Sequence, residues 1–347
     1  MLGEVTAVDN DLGGIGIAPG CNARVISQWR TDNDFSTSDA ILSAAIAMNP
    51  GDVMLIEAQA SYPNAGGFVP VEVDEFVFDA IQAAVAKGVI VVEAGANGSV
   101  DLDAFADWQG KNILNRASPD FLDSGAIMVG AGSSAMPHAR LDFSNFGSRI
   151  DCYAWGENIT TSGDGWGGTD KHTYTNSFGG TSGASPMVTG AALLVQSWCA
   201  AHSSLRTPAQ MRDLLSDPSL NTISADPPFD RIGVMPDLKA ILQHLGVFFP
   251  TRLDIGRWAA VVAILFGVIQ DGGGFVFKPG GGGGPIGPWG PDGPIGPLIL
   301  APEKRDILLG LALTELATLA SDGKARRSIE QLGVATMRSA VEQIAGR

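Results

Sequence analysis

The chain has 347 residues, 45% hydrophobic and 17% charged, a balance that suits a buried globular domain of about 250 residues with an appendage and excludes a disordered polymer. Its 37 acidic against 22 basic side chains give a net charge of −15, which repels phosphate and anionic lipid and argues against a nucleic-acid partner. Three cysteines, Cys21, Cys152 and Cys199, allow at most one internal disulfide and leave the compartment open.

The chain starts with Met1-Leu2-Gly3-Glu4-Val5, which lacks the basic and apolar regions of a signal peptide. From Val5 to about Gly246, short apolar runs alternate with amphipathic stretches, the pattern of parallel strands joined by helices. Arg24 to Trp29 and Asp52 to Ile56 read as strands, and Ser38 to Met48 as a helix. Between Asp74 and Lys87 apolar residues fall at Phe76, Phe78, Ile81, Ala84 and Val85, close to helical spacing, and Gly88 supplies a stop. Val89 to Val92 is a continuous β-branched run, the mark of a strand buried on both faces. Ligand sites in such sheets form beyond the carboxyl ends of the strands, so Glu93-Ala94-Gly95-Ala96-Asn97-Gly98 is where function is expected.

A further block, Ala126 to Gly156, contains IMVGAGSS and DFSNFGSRIDCYAWG. Phe178-Gly179-Gly180-Thr181-Ser182 then leads into a small-residue helix. Ser182 would stand at its N-terminus, where unpaired N–H groups and the helix dipole favour developing negative charge. Gly183, Gly190 and Ala191 would let this helix pack closely on the sheet, with Pro186 tolerated in or near the first turn.

Further on, the apolar run Trp258 to Ile269 has 12 residues and is broken by Gly267, short of the roughly 20 that span a bilayer. It reads as a docking segment within 249–271. Residues 272–300 form a Gly/Pro-rich linker with five Gly-Pro-x triplets from Gly284 to Leu298, too few for a collagen helix and suited to a semi-rigid spacer. Pro302 to Ser321 and Lys324 to Ala345 are helical in pattern and imply a hairpin over 301–347.

Gly180-Thr181-Ser182-Gly183-Ala184-Ser185-Pro186 resembles the Gly-Thr-Ser-x-Ala-x-Pro nucleophile motif of the subtilisin-like serine peptidases, the subtilases. Residues 93–98 resemble the family's Ala-Ala-Gly-Asn-x-Gly segment, with Ala96 in place of a glycine. The block 126–156 resembles the family's strand, Phe-Ser-Asn-x-Gly turn and following strand. The resemblance runs from about Ala18 to Gln196 and implies an α/β fold, a doubly wound, mostly parallel sheet, over residues 1–248. It also implies a serine endopeptidase working through an acyl-enzyme on a polypeptide, with Ser182 as nucleophile and the Asn97 carboxamide as oxyanion donor. The substrate would add as a strand along Glu57-Ala58-Gln59, where the family has Ser-Leu-Gly. No cofactor is required; the resemblance allows a structural calcium in the loop Val8 to Gly14, with Asn10 as a ligand, and suggests an extracellular location.

The remaining catalytic elements do not follow. No His-Gly-Thr occurs, and so no Asp-Ser-Gly or Asp-Thr-Gly precedes one; the histidines are His138, His172, His202 and His244. His172, nearest to Ser182 in sequence, lies in a polar loop. Met1-Leu2-Gly3 aligns with the residues that follow the family's histidine, which places that histidine four residues before Met1. The resemblance therefore implies a chain with the nucleophile and oxyanion half of the enzyme but neither His nor Asp, one that labels with a fluorophosphonate no faster than its Ser182→Ala variant. The alternative is a non-catalytic binding or interaction protein derived from a subtilase.

Overall fold

The computed structural model describes residues 1–10, 13–31, 34–163 and 173–247. Contacts divide the chain after Phe248, and the described residues belong to the unit before that point. The docking segment, linker and hairpin expected over 249–347 lie outside the described residues, as do Asp11 and His172.

The first half holds α1 (Leu2–Thr6), β1 (Trp29–Thr31), β2 (Asp34–Phe35), α2 (Thr37–Ala47), β3 (Val53–Ile56), β4 (Gln59–Ser61), β5 (Phe68–Pro70), α3 (Glu75–Ala86) and β6 (Ile90–Ala94). The second holds β7 (Ile127–Gly132), β8 (Cys152–Trp155), β9 (Ile159–Ser162), β10 (Tyr174–Phe178), α4 (Thr181–Ala201), α5 (Pro208–Ser216), β11 (Thr222–Ile223), α6 (Pro227–Asp230), β12 (Val234–Met235) and α7 (Leu238–His244). Local chemistry sets several boundaries. Asp74 Oδ1 accepts from the Phe76 and Val77 amides at 3.0 and 3.1 Å and so starts α3, while Gly88, at φ +93°, turns the chain out of it. Thr207 and Gln210 close a capping box on α5.

Six strands form the central sheet in the order β11-β12-β8-β7-β6-β3, parallel from β3 to β12 and antiparallel only at β11. The run 89–92 shows why both faces are covered. Ile90 and Val92 point into the core that α4, α5 and α7 share, whereas Val89 and Val91 point into the core under α2 and α3. Each of these four is at most 1% exposed, and each such burial contributes about 1.5–3 kcal/mol relative to exposure. The sheet is therefore doubly wound and mostly parallel, as the alternation of apolar runs implied.

Two local expectations are corrected. Arg24 to Trp29 is not a strand: pairing begins only at Trp29, against the short β2, and Val25 and Ile26 are exposed. A β-branched run becomes a strand only when a neighbour takes its N–H and C=O groups, and none of the described strands lies beside Arg24 to Gln28. Pro186 is the sixth residue of α4 and lies past its first turn, so the amide that would bond the Ser182 carbonyl is missing. The small residues admit close neighbours, but only Ala191 joins the core shared with the central sheet: a Cβ on Gly190 would meet Ile17, in the segment after α1, at 2.7 Å, and one on Gly183 would collide with Ile159 of β9.

Candidate active site

Three segments converge beyond the carboxyl ends of β3 and β6, which are adjacent and paired Ile56 to Glu93. Glu57 follows β3 directly, Asn97 lies in the turn after β6, and Ser182 is the second residue of α4. Gly180 caps that helix at φ +86°, a conformation that suits glycine, and Ser182 is half-buried.

The Asn97 side chain is oriented by the helix. Its Oδ1 accepts from the Thr181 amide at 2.9 Å and from Thr181 Oγ1 at 3.1 Å. Since a backbone N–H can only donate, the oxygen must face Thr181, and Nδ2 faces the other way. Nδ2 and the Ser182 amide have no acceptor among the described residues. A Cβ built on Gly180 would lie 3.3 Å from Asn97 Nδ2, 3.5 Å from Asn97 Oδ1 and 3.6 Å from the Ser182 nitrogen. The bare glycine therefore leaves room between the Asn97 carboxamide and the Ser182 amide.

The loop carrying Asn97 is held by the Phe-Ser-Asn-x-Gly turn. Asn145, fully buried, accepts at Oδ1 from the Gly98 and Val100 amides at 3.1 and 2.8 Å and donates from Nδ2 to the Phe68 and Gly95 carbonyls at 2.9 and 2.8 Å. The Asn97 amide itself donates to Gln59 Oε1 at 3.1 Å. Ala96, in the place of the family's glycine, adopts φ +71°, the left-handed conformation that a glycine takes without strain.

Glu57, read from sequence only as part of a substrate strand, meets the helix that carries Ser182. Its Oε1 accepts from Ser185 Oγ, and its Oε2 is sealed from solvent without a partner among the described residues. Burial pushes this carboxyl up to about 8, against smaller opposing contributions from the Ser185 and Ser182 hydroxyls and the Met1 ammonium. Ser182 approaches the carboxyl without forming a hydrogen bond of good geometry. Glu4 on α1, paired with the Met1 ammonium at 2.7 Å, is raised to about 7 by burial and adds a further upward push on Glu57. No pattern in the sequence signals this contact, which joins positions 128 residues apart.

No described histidine joins Ser182. The His138 ring lies against Ser133 O and Tyr153; His202 stacks on Trp198 at the far end of α4, about 30 Å along the helix. His244 ends α7. Asp123-Ser124-Gly125 spells the tripeptide expected around a catalytic aspartate, but Asp123 pairs with Arg212 and Ser124 Oγ donates to Glu72. Gln59 opens β4, whose described partner is β5 alone. The cysteines are free, Cys152 and Cys199 being buried. Among the described residues no three His, Cys, Asp or Glu side chains cluster to hold a metal, and no helix is long and apolar enough to cross a membrane.

Beneath the site lies a buried ionic cluster. Arg149 donates from Nε and Nη2 to Glu72 at 2.7 and 2.9 Å and from Nη1 to Asp151 at 2.9 Å. Glu93, on β6, accepts from the Glu72 amide at 3.2 Å; burial and then the Glu72 charge hold its pKa well above the ordinary carboxylate range.

Layered helices on a parallel sheet, with a serine starting a buried helix opposite an oriented carboxamide, define the subtilisin-like class of α/β proteins. The chain belongs to the subtilase family, whose model matches residues 1–232. It is 36% identical over 133 residues to the extracellular serine proteinase of Thermus sp. (strain Rt41A), a match covering 38% of this chain and 27% of that protein, so it spans about a quarter of that relative's length. In fold it is similar to the self-cleaved protease domain of PatA, at 21% identity and a TM-score of 0.50, covering 70% of this chain and 80% of that one.

Proposed function

We propose that this chain carries the nucleophile and oxyanion portion of a serine endopeptidase. Ser182 Oγ attacks a peptide carbonyl; the carbonyl oxygen, now negative, enters the space beside Gly180 and accepts from Asn97 Nδ2 and the Ser182 amide. Collapse of the tetrahedral species expels the amine, which departs with the proton given up by Ser182 Oγ, and leaves an acyl group on Ser182, which water then removes as the acid, returning a proton to Oγ. The polypeptide substrate lies along Glu57-Ala58-Gln59 and pairs with the edge of β4 that faces away from β5. The name of the Thermus relative supports a location outside the cell.

The observation that carries this reading is the double bond from Thr181 to Asn97 Oδ1, which leaves Nδ2 and the Ser182 amide as the free donors of one small space. A peptide boronic acid tests it, because boron forms a tetrahedral adduct with a serine oxygen and places a second oxygen where the oxyanion would sit. Binding is expected to vanish in Ser182→Ala and to weaken in Asn97→Ala. No adduct, or an equal one in Ser182→Ala, would overturn the reading.

A further inference from the structure

Taking Ser182 as the nucleophile, we propose that Gln59 determines specificity by admitting only a small side chain on the residue whose carbonyl Ser182 attacks. The backbone makes the room that Gln59 divides. β3 and β6 are paired as far as Ile56 and Glu93, and beyond them residues 58–60 and 95–98 share no backbone hydrogen bond among the described residues. One chain stays with β7, the Gly95 amide donating to Val129 O at 2.8 Å, while the other turns away to pair with β5. Paired strands lie about 4.8 Å apart, too close for a side chain to stand between them, so the two segments have parted where Gln59 reaches across.

Gln59 is the hydrogen-bonded link across this parting. Its Oε1 accepts from the Asn97 amide at 3.1 Å. Ala58 and Ala60 pack against the core, and strand alternation puts the Gln59 side chain on the other face, where the residue is exposed. A backbone N–H can only donate, so Oε1 faces Asn97 and Nε2 faces away, with no acceptor among the described residues. The carboxamide therefore stands fixed between the two segments.

These are the same two segments that hold the substrate in the reading above: the attacked carbonyl oxygen lies beside Asn97, and the polypeptide runs along Glu57-Ala58-Gln59. The side chain of the attacked residue starts one atom from the carbonyl carbon and enters between them. A hydrogen, a methyl or a hydroxymethyl fits beside the Gln59 carboxamide. An aromatic ring takes its place instead, which leaves the Asn97 amide without an acceptor where the ring shuts out water. Thr181 ties the Asn97 side chain and Gln59 ties its amide, so a side chain that displaces Gln59 also frees one of the ties on Asn97. The preferred substrate is a polypeptide with glycine, alanine or serine before the cleaved bond.

The test uses the full chain and two peptide boronic acids of one sequence, ending in the boron analogue of alanine or of phenylalanine. The readout is the ratio of their dissociation constants, which cancels whatever a substitution does to Ser182 or Asn97, since both compounds meet these alike. In the wild type the alanine compound should bind at least about tenfold more tightly, the equivalent of one hydrogen bond left unmade. Gln59→Ala should bring the ratio to about one or invert it, because the ring then gains the vacated room. Gln59→Glu keeps an acceptor for the Asn97 amide and should keep the preference, a rescue that a merely structural role would not show. Near-identical circular dichroism would show that the variants fold. Equal binding of the two compounds by the wild type, or a ratio unmoved in Gln59→Ala, overturns the role of Gln59 and leaves Ser182 standing as long as both adducts vanish in Ser182→Ala. Adducts that survive Ser182→Ala overturn the nucleophile and, with it, the selection.

Discussion

Thr181 donates twice to Asn97 Oδ1, from its amide at 2.9 Å and from its hydroxyl at 3.1 Å, so the residue before Ser182 orients the Asn97 carboxamide. The two bonds separate orientation from presence. Thr181→Val keeps the amide bond and the shape but removes the hydroxyl, and peptide-boronate affinity should fall roughly tenfold, the equivalent of about one hydrogen bond. Asn97→Ala removes the donor itself and should weaken the boronate adduct more than Thr181→Val does, by up to about 10²-fold. Equal affinities for Thr181→Val and the wild type would mean that the amide alone orients the carboxamide.

Asn145 makes four hydrogen bonds that tie the Asn97 loop to Phe68 and Gly95. Replacing it with alanine leaves two amides and two carbonyls without these partners, and the fold should lose about 3–5 kcal/mol, from roughly 1 kcal/mol per bond plus the desolvation left behind. Asn145→Asp keeps the acceptor but cannot donate to the two carbonyls. Urea midpoints for both variants check this, and a loss below about 1 kcal/mol would refute it.

Ala96 occupies a left-handed backbone at φ +71° and is 1% exposed. Relief of its strain by Ala96→Gly is offset by the lost methyl burial and by greater freedom in the unfolded chain, so stability should stay within about 1 kcal/mol. Ala96→Val puts a β-branched side chain in that conformation and should destabilise by more than about 2 kcal/mol. Thermal unfolding distinguishes the two.

Glu93 gives a prediction in pH. Its folded pKa is raised by burial and by Glu72, so the folded state binds its proton more tightly than the unfolded state does. The stability from this proton is fully present below about pH 4.5 and is lost as pH rises through the raised folded value. Glu93→Gln should therefore flatten the stability curve over that window and raise stability towards its upper end, where the buried carboxyl must hold a proton that the unfolded chain has lost. The urea midpoint followed from pH 4 to pH 9 reads both effects, and a parallel pair of curves would exclude a proton on Glu93.

Much of this arrangement was legible because it is local. The Asp74 cap, the β-branched run before Glu93 and the small-residue helix after Gly180 each carry their cause in neighbouring residues. The position of Asn97 could be read in the same way, from a turn after a buried strand. What could not be read depends on distant partners: Thr181 and Asn97 are 84 positions apart, and Ser185 and Glu57 are 128 apart. Arg24 to Gln28 fails for the same reason in reverse, since it has a strand's composition but no described neighbour to pair with.

Gly180 has one more consequence, and it is genetic. Every missense change at a glycine codon adds a β-carbon, and at position 180 that carbon would fall between Asn97 Nδ2 and the Ser182 nitrogen. Any inherited substitution there would crowd the Asn97 carboxamide against the start of α4 while leaving Ser182 and Asn97 unchanged in the sequence. A chain altered at this codon would still match the family by its side chains, although the backbone joining them had lost its room.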